Sequence, residues 1–141
     1  MNAFAIKRLR GLVGLVMIVL SSLALVGSSI AKFAAIEPVQ TQMAKLGFAG
    51  DKLTLIAILE ITGAIGFLLP RTRSVGLLWV SSYLGGAICA HVQAGEFDKA
   101  ISPAIVLLLS WAGTWLRHPE MLWSMRGERS GSGASVARGA A

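Results

Sequence analysis

The amino-acid sequence predicts an all-α protein: a bundle of four transmembrane helices, a short interfacial amphipathic helix in the first outer loop, and almost no soluble part. Three observations carry this reading. Four apolar runs are each about long enough to cross a hydrocarbon layer, which takes roughly 17–25 residues. Only 14% of the 141 residues are charged, against about 25% in an ordinary soluble domain. The mean hydropathy is +0.69, and most of the charge falls between the apolar runs.

One membrane domain is expected over residues 1–120, with helices at about 12–31, 53–69, 75–92 and 101–117. The first run, Leu12 to Ala31, follows the basic residues Lys7, Arg8 and Arg10. A secretory signal has the same order, and Ser29 and Ala31 are small enough for a cleavage site. The run is longer than the usual h-region of about 7–15 residues, and its removal would leave three helices without a wall. An uncleaved helix is therefore the reading adopted. The second run, Leu53 to Leu69, stops at the Pro70–Arg73 turn, where proline ends a helix. So short a turn makes the second and third helices antiparallel neighbours. The fourth run starts at Ile101, and Pro103 fits its first turn, where a missing N–H loses no partner.

Between the first two runs, Val39, Met43 and Leu46 recur at helical spacing and Gly47 supplies a stop. Such a segment lies in the membrane interface, with Phe33, Ile36 and Phe48 docking it. The stretch 121–141 is Gly-, Ser- and Ala-rich. It is expected to be a disordered cytoplasmic tail, with Trp115 and Trp123 before or at its start as headgroup anchors.

Topology follows from lysine and arginine. With four spans, nine basic residues fall on the side of the termini and four (Lys32, Lys45, Lys52, Lys99) on the other. The positive-inside rule then puts both termini in the cytoplasm. The net charge of +6 does not point to nucleic acid, because the basic residues flank apolar runs rather than interleaving with aromatics on a soluble fold. They face membrane lipid instead. One cysteine, Cys89, rules out an intrachain disulfide and a CxxC redox pair, and it reads as a small packing residue. No Walker loop, GxSxG or dinucleotide fingerprint is present, and no metal site is expected.

Glu60 is the most informative residue. It stands in the middle of the second run, where an ionised carboxylate costs roughly 2.5–3.5 kcal/mol on insertion scales. It should face the interior and have a partner. Ala57, Gly63 and Ala64 share its face, with Thr54 one turn out. Gly63 and Gly66, and Gly85 and Gly86 on the third helix, are expected helix-packing positions. Lys32 ends the first helix and can snorkel to headgroups or toward Glu60. The candidate polar cluster is Lys32, Glu60 and His91, with Ser28 and Thr54 secondary. Two roles stay open for Glu60, a structural link that fixes helix register and a functional acid. His91 is open to a role beside water or headgroups, and His118 lies at the opposite end.

The segments at Ala31–Phe33 (AKF), Leu59–Arg73 (LEITGAIGFLLPRTR) and Gly85–Phe97 (GGAICAHVQAGEF) resemble the DoxX-like family of small bacterial membrane proteins, over about residues 12–117. The resemblance implies a multi-pass protein of the bacterial inner membrane, with Lys32, Glu60 and His91 at the family's recurrent polar positions. Members include a subunit linked to thiosulfate–quinone oxidoreduction and proteins associated with redox partners. The implied role is an accessory or assembly module of a membrane complex without its own catalysis, partnered by a membrane protein or by copies of itself. Alternatives are a quinone-linked oxidoreductase subunit and a proton-coupled small-solute transporter. No cofactor is expected beyond a quinone. The cysteine motif of the vitamin K epoxide reductase-type bundles is missing, and the first-helix glutamate of small multidrug transporters is absent.

Overall fold

The computed structural model describes residues 3–119, which form five helices and no strand. They are α1 (Ala3–Phe33), α2 (Glu37–Lys45), α3 (Asp51–Leu68), α4 (Arg73–Gln93) and α5 (Phe97–Arg117). By length and composition, α1, α4 and α5 are apolar enough to cross a membrane. Helix α3 has 18 residues, three of them charged (Asp51, Lys52 and Glu60), and does not join that set.

The four long helices pack as a closed ring, α1 and α4 each lying against both α3 and α5. Short α2 sits at the rim against α1 and buries no residue. The apolar core is Ile18, Leu25, Ala64, Phe67, Leu77, Val80 and Leu84. Among the described residues nine polar side chains are buried as well: Ser21, Ser22, Ser29, Lys32, Glu60, Arg73, His91, Ser110 and Thr114. Outside, Leu12, Leu20, Leu55, Ile65, Leu78, Leu108 and Trp115 are exposed. An apolar skin over a partly polar interior inverts the soluble pattern and suits lipid. The hydroxyls are mostly satisfied within their own helices. Ser21, Ser29, Ser81, Ser110 and Thr114 each donate to the carbonyl four residues back, so they need no water.

Two boundaries differ from the sequence reading. Helix α1 begins nine residues before the apolar run, because Ala, Lys, Arg and Leu favour helix and hydropathy marks only the apolar portion. Helix α5 begins at Phe97, so Pro103 lies inside it rather than in its first turn. A proline there removes the N–H that the Lys99 carbonyl would accept from. Gly47 has φ +81° and does follow α2. Trp123 and the 121–141 tail lie outside the described residues.

Helix contacts through glycine concentrate at the end away from α2. A Cβ on Gly76 would stand 2.2 Å from the Phe67 backbone nitrogen, and one on Gly14 would stand 2.7 Å from the Gly113 carbonyl oxygen. Gly63 is filled by the Trp79 indole, at 2.6 Å from the same imagined atom. Gly66 meets Gly76 at an ordinary 3.6 Å. The expectation for Gly85 and Gly86 fails, since a Cβ on either meets nothing within 4 Å. Those two glycines lie beside open space. Gly76→Ala should therefore destabilise the protein by about 2 kcal/mol or more through backbone overpacking. Gly85→Ala should be neutral or stabilising by up to about 1 kcal/mol through helix propensity. Thermal unfolding of both variants in one detergent checks the contrast.

Candidate functional site

At the end that carries α2, Lys32 Nζ donates to Glu60 Oε2 at 2.6 Å. Both side chains are nearly inaccessible, at 5% and 4% exposure. Lys32 stands in the last turn of α1 and reaches inward along its own stem. Ser28, one turn back, accepts a second hydrogen bond from Nζ at 2.6 Å. The Ser29 hydroxyl lies 3.2 Å from the same Glu60 oxygen, its single proton shared between that oxygen and the Leu25 carbonyl at 2.9 Å. The carboxylate thus has a cation and a hydroxyl, and the ammonium has two acceptors. That completeness is what a buried pair requires, because removing one partner strands a charge. Tyr83 from α4 is a further neighbour of the Glu60 carboxylate.

Ser28, Lys32, Glu60 and Tyr83 line a cavity of about 360 Å³ between α1, α3, α4 and α5, with His91, Lys99, Ser102 and Pro103 on the far wall. His91 lies on this wall but binds another carboxylate: its Nδ1 is 3.4 Å from Glu96 Oε2. Lys99 donates to Glu96 Oε1 at 2.8 Å and to Gln42 Oε1 at 2.5 Å, and the Gln42 amide donates to Glu96 Oε2. Glu96 therefore ties α2 to the α4–α5 loop and to the start of α5. A second, mostly apolar cavity of about 280 Å³ shares Met43, Tyr83, Ala87 and His91 with the first and continues along Ile56, Gly86 and Ala90. A third, of about 570 Å³ below α2, is lined by Lys32 and Thr54. Thr54 is exposed on this other side of Lys32 and does not join the Glu60 cluster.

Of the residues singled out from sequence, Lys32, Glu60 and Ser28 are in contact, and His91 shares their cavity. Ser29, Tyr83, Glu96, Lys99 and Gln42 were not singled out. Tyr83, Ala87 and His91 fall four residues apart on α4, a stripe that could have flagged Tyr83. Gln42 and Lys99 lie 57 residues apart, and no local pattern joins them. Cys89 is exposed rather than packed. Among the described residues no cluster of His, Cys, Asp or Glu is arranged to hold a metal.

The opposite end is held by arginine. Arg73 donates to the Phe67 and Leu68 carbonyls at 3.3 and 3.2 Å, and Thr72 Oγ1 donates to the Gly66 carbonyl at 2.8 Å. These carbonyls are the unpaired acceptors at the C-terminus of α3, where positive charge is favourable. Arg73 Nη1 also lies 2.9 Å from His118 Nε2. A guanidinium only donates, so that ring nitrogen is the acceptor.

Long apolar helices with polar side chains turned inward define an α-helical membrane protein. Residues 16–113 match the DoxX-like family, and the chain belongs to it. No curated protein and no solved structure matches the chain.

Two outcomes test this geometry. Lys32→Met or Glu60→Gln alone should each destabilise the protein, by about 3–5 kcal/mol where a buried charge is left uncompensated. The double variant should recover much of that loss, as measured by a double-mutant cycle of unfolding free energies. The Glu96 carboxyl is held below the usual carboxylate range by its Lys99 hydrogen bond, aided by Gln42 and His91 and opposed by burial. A depressed folded value means its contribution is present above the unfolded value and is lost as pH falls through the folded one. Protection of the α2 amides relative to their intrinsic exchange rates should accordingly fall on acidification below the normal carboxylate range, and Glu96→Gln should abolish that loss.

Proposed function

We propose that this chain is a four-span accessory module of a membrane complex in the bacterial inner membrane, and that its cavity holds the head of a quinone-class ligand. The observation that carries the proposal is the Lys32–Glu60 pair on the wall of a cavity that continues into an apolar one. Quinone head groups present two carbonyl oxygens on an apolar body. Lys32, Lys99, Tyr83 and His91 supply donors around about 360 Å³, within the range of roughly 300–1,000 Å³ common to small-molecule sites. Ile56, Gly86, Ala87 and Ala90 would receive the apolar part. Glu60 and His91 are groups that can take and give a proton at such a head.

Crossing by α3 is part of this reading. Its central acid is compensated by Lys32, which lowers the cost of placing Glu60 in hydrocarbon. Both termini are then cytoplasmic. Lys7, Arg8, Arg10, Arg71, Arg73 and Arg117 stand at the end away from α2, on the side favoured for basic residues. Helix α2 lies in the outer interface and caps the cavity. The accessory role is supported by the apolar outer faces left for a partner.

Protein purified in mild detergent should retain quinone, or gain several degrees of thermal stability from added ubiquinone or menaquinone. Glu60→Gln should weaken that response at least tenfold. Wild-type protein that carries no quinone and does not respond to either would remove the ligand reading. Native mass spectrometry of the same sample should show a stable partner or an oligomer.

A further inference from the structure

The two ends of the molecule differ in charge more than orientation alone requires. Every described acidic residue except Glu60 lies at the α2 end: Glu37, Asp51, Glu96 and Asp98. At the other end, Lys7, Arg10 and Arg117 line one cavity of about 780 Å³ between the first turns of α1 and the last turn of α5. Ile6 and Leu116 add apolar surface to its wall, which Gly11, His118 and Pro119 complete. None of the three cations takes part in an ion pair among the described residues. Arg117 is a fixed charge, since its Nη1 donates to the Gly11 carbonyl at 2.9 Å. Its Nε is buried without a hydrogen-bond partner. Lys7 and Arg10 are one turn apart on α1 and share a face with Gly11.

The length of α1 sets the level of this site. Thirty-one residues span about 46 Å and the twenty-one of α5 about 31 Å. Because Arg117 meets Gly11, the residues before Gly11 project past the end of α5. With α5 matched to a hydrocarbon core of about 30 Å, the overhang stands among headgroups. Toward the same end, Phe4, Leu9, Leu12 and Trp115 are exposed apolar side chains.

We propose that this cavity is a binding site for a phosphate group, that of an anionic phospholipid whose chains run down the outer faces of α1 and α5. Three convergent cations with no acidic counterpart among the described residues fit a phosphodiester, and basic pockets between helix ends on the cytoplasmic side take such headgroups. Residues that served only as a topology signal would not need to converge on one cavity or to be pinned to a neighbouring helix.

The test uses the full chain in neutral detergent, with unfolding temperature and lipid retention in native mass spectrometry as readouts. Phosphatidylglycerol should stabilise the protein more than phosphatidylcholine and should be retained preferentially. Lys7→Gln/Arg10→Gln should lose at least half of that preference, while Lys7→Arg keeps it. Lys45→Gln/Lys52→Gln, at the other end, should keep it in full. Inorganic phosphate separates the sources. No response to millimolar phosphate identifies the lipid headgroup, and a response equal to that of the lipid identifies a site for free phosphate, which overturns the lipid assignment. Equal effects of the two lipids, a full preference in Lys7→Gln/Arg10→Gln, or an equal loss in the control at the other end would each overturn the site.

Discussion

The Lys32–Glu60 ion pair is the constraint around which the rest of this molecule is arranged. An acid in the middle of an apolar helix is tolerable only with a cation at contact distance, and the pair sits at 2.6 Å. To supply that cation, α1 must end near the mouth of the ring, so that a lysine can turn its stem inward from the last turn. To finish the hydrogen bonding, α1 must place two consecutive serines on either side of the contact, Ser28 for the ammonium and Ser29 for the carboxylate. The register of α1 against α3 is therefore set by polar chemistry rather than by apolar packing, which is nearly isotropic. Buried polar groups that fix register in this way are a known use of an otherwise costly feature.

The ring geometry then follows from what the pair leaves open. Three of the cavities lie at the α2 side, around Lys32, Glu60 and His91. At the other side, Gly14, Gly76 and Gly113 allow backbone to meet backbone. Apolar burial gives little net drive between helices in lipid, so close packing of small residues and hydrogen bonds carry association. The protein combines glycine packing with arginine hydrogen bonds at one end and uses a buried ion pair at the other.

Much of this was legible in the sequence, and the parts that were not share a cause. Glu60 announced itself because a lone acid in an apolar run has no neutral explanation. Lys32 and Ser28 followed from helical spacing and from the reach of a lysine side chain. Thr54 was misplaced because one turn of depth on the same helix also rotates a residue around it, here to the far side of Lys32. Gly85 and Gly86 were misread as packing positions because a small residue marks either a close approach or a void, and only the neighbouring helix decides which. Gly76 was overlooked for the same reason in reverse. The Glu96–Lys99–Gln42 contacts join three segments through the chain's topology, and periodicity carries no information about them. Pro103 was placed by where hydropathy rises rather than by where the backbone starts to coil.

The glycine contacts join helices in pairs: Gly14 meets Gly113 between α1 and α5, and Gly76 meets Phe67 between α4 and α3. Neither contact joins α1 to α3. The molecule is thus two glycine-clasped helix pairs, and Lys32–Glu60 is a polar stitch across the seam between them.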